Sequence, residues 1–422
     1  MNNNILTSIY LIMGGEFYGT GGWAKYVKEL AYFLTSHGYQ VKIVYKMGKN
    51  FSYHIKIKMN YSDNIKFNQT RVISKLSRIS SFYWLSHLPN PLTVILGVIR
   101  TMKEIRCDRV VQKIIHAHDL SSSFFIAFLL WKFLKVPYVV QVHGFPLREW
   151  KIKLMRADVL TRKFVWFLTK MLHIIAIYLI KNSSALLLTN NNEVKSFYEG
   201  CGISSDRIKV VPSAINLCEH RKHLLLKKEA RKSLGLMESE IVTIGYVGGL
   251  KPEKNVGILI KAFEEFVKSY PDAKARLLII GDGPMRPVLE EYVKEHNIDG
   301  YVSFLGYVPD AYRFLNAIDI FVLPSLSEGS PIALIEAMAC SRAIIASNIP
   351  AIKEIVEDGR EALLFDPHSP EQLKEALLKL YYDPELRKTL GKNAKEKAKQ
   401  YDVNVVFPKI VKIYQRVLRK QD

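Results

Sequence analysis

The 422-residue sequence predicts two doubly wound α/β domains in tandem. Three observations carry this. The length accommodates two domains at ~150 residues each. Both halves alternate short β-type apolar runs, glycine turns and helical stretches. The charge also breaks near mid-chain: residues 1–210 carry 29 Lys and Arg against 11 Asp and Glu, whereas 211–422 carry 31 against 29. The net +20 therefore sits almost wholly in the first half, which is expected to face something anionic: nucleic acid, a membrane surface or an acidic substrate. Hydrophobic residues at 49% and charged residues at 24% exclude disorder. Four cysteines, far apart and without a C-x-x-C pair, exclude a disulfide scaffold and a cysteine zinc site and fit a reducing compartment. Residues 1–15 have neither a basic n-region nor a small-x-small cleavage site, so no secretory signal is expected.

In the first half, Ile5–Met13 reads as a strand and runs into Gly14, Gly15 and then Gly19–Gly22. Trp23, Tyr26, Val27, Leu30, Ala31 and Leu34 recur at helical spacing, Gly38 stops that helix, and Val41–Tyr45 is the next strand. This βαβ order implies a parallel sheet. Residues 46–110 read only as an insertion with some helix. Ile114–Ala117 and Tyr138–Val142 are strands flanking an apolar helix, Phe124–Leu134. In the second half, Val242–Val247 is a strand ended by Gly248 and Gly249, and a helix follows from Asn255 to Ser269. Arg276–Ile280 is a strand turning through Gly281-Asp282-Gly283-Pro284 into a helix with Pro284 near its first position. Val302–Leu305, Ile320–Leu323 and Ala343–Ala346 are further strands. The polar, helix-prone stretch 217–237 places the domain boundary near 215.

Phe164–Ile180 is apolar for 17 residues, follows Lys151, Lys153, Arg156, Arg162 and Lys163, and contains Lys170 and His173. It reads either as a buried domain helix or as a helix lying on an anionic membrane with its cations among the headgroups. A spanning helix ranks third, since Lys170 at mid-membrane would cost ~3 kcal/mol.

The segment from Ser327 to Ala339 is the most specific chemical signal. Glu328 stands after a parallel strand, at the carboxyl edge where open α/β sheets bind ligands. Pro331 is placed to open a helix whose free N–H groups suit a phosphate. Glu336, eight residues after Glu328, can accept hydrogen bonds from sugar hydroxyls. The plainer alternative is that Glu328 caps the helix and Glu336 forms a surface ion pair. Gly248 and Gly249 allow close backbone approach, and Lys251 and Lys254 offer compact charge to phosphate oxygens. The Gly281–Pro284 turn reads as structural. The Gly19–Gly22 loop is neither G-x-G-x-x-G nor a P-loop. His116-Ala117-His118-Asp119 and Gln141-Val142-His143-Gly144 end two strands. A strand-end histidine usually packs, but His143 has the better position to act. No Asp-x-Asp pair exists, so no metal is expected.

With these residues in view, the sequence resembles the retaining glycosyltransferase family 4, whose GT-B fold has two facing Rossmann-like domains with a cleft between them. The resemblance is strongest from Tyr246 to Pro367, through the Glu-x7-Glu segment and Ile355-Val356-Glu357-Asp358-Gly359. Gly21-Gly22, His116–Asp119 and Val142-His143-Gly144 match more weakly. The resemblance implies metal-independent transfer of a sugar from a nucleotide-diphosphate sugar to a hydroxyl, with retention. It implies an acceptor-binding, membrane-facing domain over 1–215, a nucleotide-sugar-binding domain over 216–400, and a helix in 401–422 crossing back. Glu328 and His143 would serve catalysis. Gly248, Gly249, Lys254, Gly329, Ser330, Pro331, Ile332 and Glu336 would hold the donor, with Glu336 on the ribose. Gly21, Gly22, His118 and Asp119 would lie on the acceptor side. No cofactor is implied beyond the donor. The partners implied are a lipid-linked or glycan acceptor and an anionic membrane surface at the cytoplasmic face, without nucleic acid. Three departures stand out: Gly249 where the family often has Arg, Pro212-Ser213-Ala214-Ile215-Asn216 for the usual Pro-Asn-Gly-Val-Asp, and Ser341 for a common Gly. An epimerase of the same fold, or a basic nucleic-acid module, is the alternative.

Overall fold

The computed structural model describes residues 7–13, 22–47, 52–56, 91–144, 159–236 and 241–419. The chain forms two compact units, one of Met1–Pro212 with Phe407–Asp422, the other Ser213–Val406.

In the first unit, the described strands are β1 (Thr7–Met13), β2 (Gln40–Met47), β3 (Ser52–Lys56), β4 (Gln112–His118), β5 (Tyr138–Val142), β6 (Leu186–Thr189) and β7 (Ile208–Val210). They lie in the order β3-β2-β1-β4-β5-β6-β7. The order reverses between β1 and β4, where Ile12 pairs with Val44 on one side and Ala117 on the other. β1 is buried at every position, as a central parallel strand covered on both faces must be. The sheet is not wholly parallel as expected: β3 runs antiparallel to β2, with Val44 opposite Ile55. Helices Pro91–Cys107, Ser122–Leu134, Val159–Lys181 and Asn192–Gly200 supply Val98, Phe124, Ile180 and Val194 to one core with Tyr10 and Val140. On helix Gly22–Ser36, Tyr26 and Phe33 each meet Phe407 edge-on at 5.5 Å.

Helix Val159–Lys181 is buried along one side, as the domain-helix reading expects, and exposed along another. Val165, Thr169, His173, Ala176 and Ile180 are buried, whereas Phe164, Phe167, Ile174 and Tyr178 form an exposed apolar stripe. Among the described residues it is the one helix long and apolar enough to cross a membrane. Lys151, Lys153 and Arg156 lie outside the described residues.

The second unit has β8 (Val242–Val247), β9 (Ala275–Ile280), β10 (Val302–Gly306), β11 (Ile320–Leu323), β12 (Ala343–Ser347) and β13 (Leu363–Phe365), ordered β10-β9-β8-β11-β12-β13 and all parallel. Here the reversal lies between β8 and β11. Pro284 does not open the helix after β9. That helix is Arg286–Glu295, and Pro287 occupies its first turn. Pro284 instead sits in the preceding turn.

Candidate active site

The loops after β8 and β11 emerge side by side at the second sheet's reversal point, the position where doubly wound sheets bind ligands. Leu326 N–H donates to Glu253 O at 2.9 Å and ties the loops together. Lys254 Nζ then reaches Glu328 Oε1 at 2.7 Å, and Ser325 Oγ donates to the same oxygen at 2.7 Å. The Glu328 side chain is 7% exposed and that of Lys254 25%. Glu328 is therefore not a helix cap, but a carboxylate held by a lysine and a hydroxyl. Asn255, in left-handed conformation, turns the chain from this loop into helix Val256–Ser269 and fixes itself through Nδ2 to Pro367 O at 2.9 Å.

Pro331 precedes helix Ile332–Ala339 as its cap, with no side-chain bond to the first turn. Ser330 Oγ accepts from Ser213 N–H at 3.0 Å, which anchors the Gly329–Ser330 backbone. Glu336 is buried within this helix, so it makes no surface ion pair. Its Oε1 stands 3.8 Å from Nε2 of His220, which stacks on Tyr312 with centroids 4.1 Å apart.

Gly248 and Gly249 rest on a second turn. Gly248 N–H donates to Ile280 O at 3.0 Å, Leu250 N–H to Asp282 O at 2.9 Å, and Met285 N–H to Leu250 O at 3.0 Å. A side chain at Gly281 would meet Gly248 O at 1.8 Å, and one at Gly283 would meet Leu250 O at 2.4 Å. Both glycines are present because backbone approaches backbone here. The Tyr246 hydroxyl donates to Gly249 O at 3.0 Å from beneath.

In the first unit, β4 and β5 bring His116, His118 and His143 into one stack. Ring centroids are 4.1 Å and 5.3 Å apart, with planes within 28° and 21°. His118 Nδ1 and His143 Nε2 are 3.0 Å apart, and His116 Nδ1 is 2.6 Å from the Tyr414 hydroxyl. Burial lowers all three imidazoles, His143 to about 4 and His116 to about 3, so they are neutral near pH 7. Asp119 takes φ 90 and accepts from Leu120 N–H at 2.6 Å. Gly22 begins its helix exposed, and Gly21 lies outside the described residues.

Residues 20–219 match the family model Glycosyltransferase Family 4, and residues 227–397 match Glycosyl transferases group 1. The chain is a family 4 glycosyltransferase. It is 26% identical to the uncharacterized glycosyltransferase MJ1178 of Methanocaldococcus jannaschii, over 89% of this chain and 93% of that protein. It is 32% identical to the alpha-monoglucosyldiacylglycerol synthase of Acholeplasma laidlawii, over 50% and 54% respectively. The crystal structure of Anabaena HepE in complex with UDP-glucose superposes with a TM-score of 0.70 at 16% identity, covering 97% of this chain and 99% of that one, and shares its two-domain Rossmann-like fold.

In this glycosyltransferase, the sequence-predicted donor residues collect in two linked groups of the second unit. Gly248, Gly249 and Lys254 form one, beside the catalytic candidate Glu328, and Gly329, Ser330, Pro331, Ile332 and Glu336 lead from it down the helix. Sequence reasoning missed Ser325, His220 and Tyr246. Ser325 was readable, three residues before Glu328 in a turn-forming stretch. His220 and Tyr246 carry no such signal, because their roles arise from packing across distant segments. Among the described residues, no group of three or more His, Cys, Asp or Glu could hold a metal ion.

Proposed function

We propose that this glycosyltransferase moves a sugar, with retention, from a nucleotide-diphosphate sugar to a hydroxyl of a lipid-linked saccharide or other glycan acceptor, in making a cell-surface polysaccharide or glycoconjugate. The observation that carries the reading is the Lys254–Glu328 pair beside the start of helix Ile332–Ala339, at the reversal point of a parallel sheet. A diphosphate arriving there meets the Lys254 ammonium and the backbone N–H groups of Gly329 and Ser330. Glu336 accepts from ribose hydroxyls, and Glu328, freed from part of its bond to Lys254, accepts from the transferred sugar. The leaving diphosphate is stabilised by Lys254 and the helix N-terminus, so the reaction runs without a divalent ion. Within the same reading, His143 would serve catalysis with Glu328, and Gly22, His118 and Asp119 would serve the acceptor.

The lipid character of the acceptor is supported by the diacylglycerol-acting name of the Acholeplasma relative. It is supported too by the exposed stripe of helix Val159–Lys181 on the basic half of the chain, which suits peripheral docking on the inner face of the cytoplasmic membrane. A panel of nucleotide sugars with membrane lipid extract tests the proposal. Glycosylated lipid and released nucleoside diphosphate should appear together, and EDTA should not stop them. Glu328→Gln and Glu336→Gln should each cut turnover about tenfold or more, since one charge-assisted bond contributes ~1.5–3 kcal/mol. Wild-type turnover in both folded variants would remove the site from this place.

A further inference from the structure

We infer that His118 is a positioning residue that holds His143 in its Nδ1–H tautomer, making the His143 Nδ1 a hydrogen-bond donor rather than a base. The inference deepens the reading in which His143 serves catalysis, and rests on it for its catalytic meaning.

His118 closes β4, and its register partner on β5 is Gln141, two residues before His143. Its position is fixed from several sides. Ser123 Oγ donates to His118 O at 2.7 Å. The His116 ring stacks on it, and His116 is itself held to Tyr414 at 2.6 Å. The Tyr26 ring stands edge-on to His118 and His143 at 6.3 Å and 5.3 Å. Tyr26 in turn accepts from Gln141 Nε2 at 3.0 Å. His118 is wholly buried, so rotation of its ring would mean moving all of these neighbours.

One proton lies between His118 Nδ1 and His143 Nε2, 3.0 Å apart, because two neutral imidazoles share a single donor in such a bond. Which ring supplies it follows from the far side of His118. Its Nε2 is buried and has no hydrogen-bond partner among the described residues. A hydrogen there would be a buried donor left unmade, the costlier of the two orphans, whereas a bare ring lone pair is tolerated. The hydrogen therefore sits on Nδ1 and is donated to His143 Nε2. With Nε2 occupied as acceptor and the ring neutral, His143 carries its own hydrogen on Nδ1. That atom is then a donor, and it cannot take a proton from an acceptor hydroxyl.

Nitrogen-15 NMR of the full-length protein labelled at histidine tests this, with His143 assigned by loss of its signals in His143→Gln. Wild-type His143 should show a protonated Nδ1 and a bare Nε2. His118→Phe should move the hydrogen to Nε2 in most molecules and lower kcat about tenfold while leaving donor KM within about twofold. His118→Asn, whose amide can donate from nearly the place of Nδ1, should restore both the tautomer and most of kcat. A wild-type His143 protonated at Nε2, or an Nδ1–H form persisting in His118→Phe, overturns the inference without involving turnover. A tautomer that shifts while kcat stays constant upholds the control by His118 and removes His143 from the reaction instead.

Discussion

Ser341 shows how one side chain can sit against its own backbone. Helix Ile332–Ala339 ends in a paired closure: Ser341 N–H donates to Met338 O at 2.9 Å and Arg342 N–H to Ala337 O at 3.1 Å. That geometry puts residue 341 at φ 56, where glycine is preferred. The sequence shows the departure from a common Gly, and the structure shows its cost. Ser341→Gly should stabilise the second unit by up to about 1 kcal/mol, relief of left-handed strain outweighing the added chain entropy. A urea midpoint that falls would contradict this. Glu264 makes a different residue-scale case. Burial opposes its charge, but bonds from Lys268, Tyr292 and His296 at 2.6, 2.6 and 2.7 Å outweigh that and lower the carboxyl to about 2. A depressed folded value means the stabilisation is complete above the ordinary 4.5 and is lost as pH falls from there toward 2. Between pH 5 and 2, wild type should lose more stability than Glu264→Gln; parallel curves would show that the cluster contributes nothing. At this scale, Glu328 and Lys254 were legible as separate candidates. Their bond was not, since 74 residues separate them.

At the scale of elements, the turn Gly248–Leu250 and the turn Gly281–Gly283 act as one part. Gly283→Ala would push a methyl group to within 2.4 Å of Leu250 O, so one turn must move. The expected cost is ~1–3 kcal/mol, with weaker binding of a nucleoside diphosphate, measured by urea unfolding and calorimetric titration. Gly257→Ala is the control. Its added methyl finds Leu289 Cδ2 at 3.7 Å, ordinary contact, and it lies in a helix that alanine favours. Equal behaviour of the two variants would dismiss the interlock. The sequence showed these glycines but not why they are there: their neighbours are backbone atoms about thirty residues away. Helices Gly22–Ser36 and Val256–Ser269 were readable from period alone. β7 and β13 were missed because runs of three residues are too short to display alternation, and β6, four residues long, was missed as well. β3 was missed because it lies in a stretch with no clear period.

For the whole molecule, two measurements bear on partners. A nucleoside diphosphate at a hundred times its dissociation constant should raise unfolding stability by ~2.7 kcal/mol. No thermal shift with any nucleoside diphosphate would count against a donor site in the second unit. Vesicle binding should rise with anionic lipid, fall in high salt, and fall again when Phe167 and Ile174, exposed on helix Val159–Lys181, become Ser. Equal pelleting with neutral and anionic vesicles would refute electrostatic docking. The path of the chain also bears on how the protein is made. The second unit, Ser213–Val406, is one unbroken stretch inserted before the last piece of the first. Phe407 and Tyr414, which complete the packing around Tyr26 and His116, are thus translated after it. At ribosomal speeds of ~5–20 residues per second, the first unit waits roughly 10–40 s for them. The second unit, holding its own six strands, can close as soon as it clears the exit tunnel. A released chain ending at residue 406 would then carry a protease-resistant second unit behind a first unit still open to cleavage.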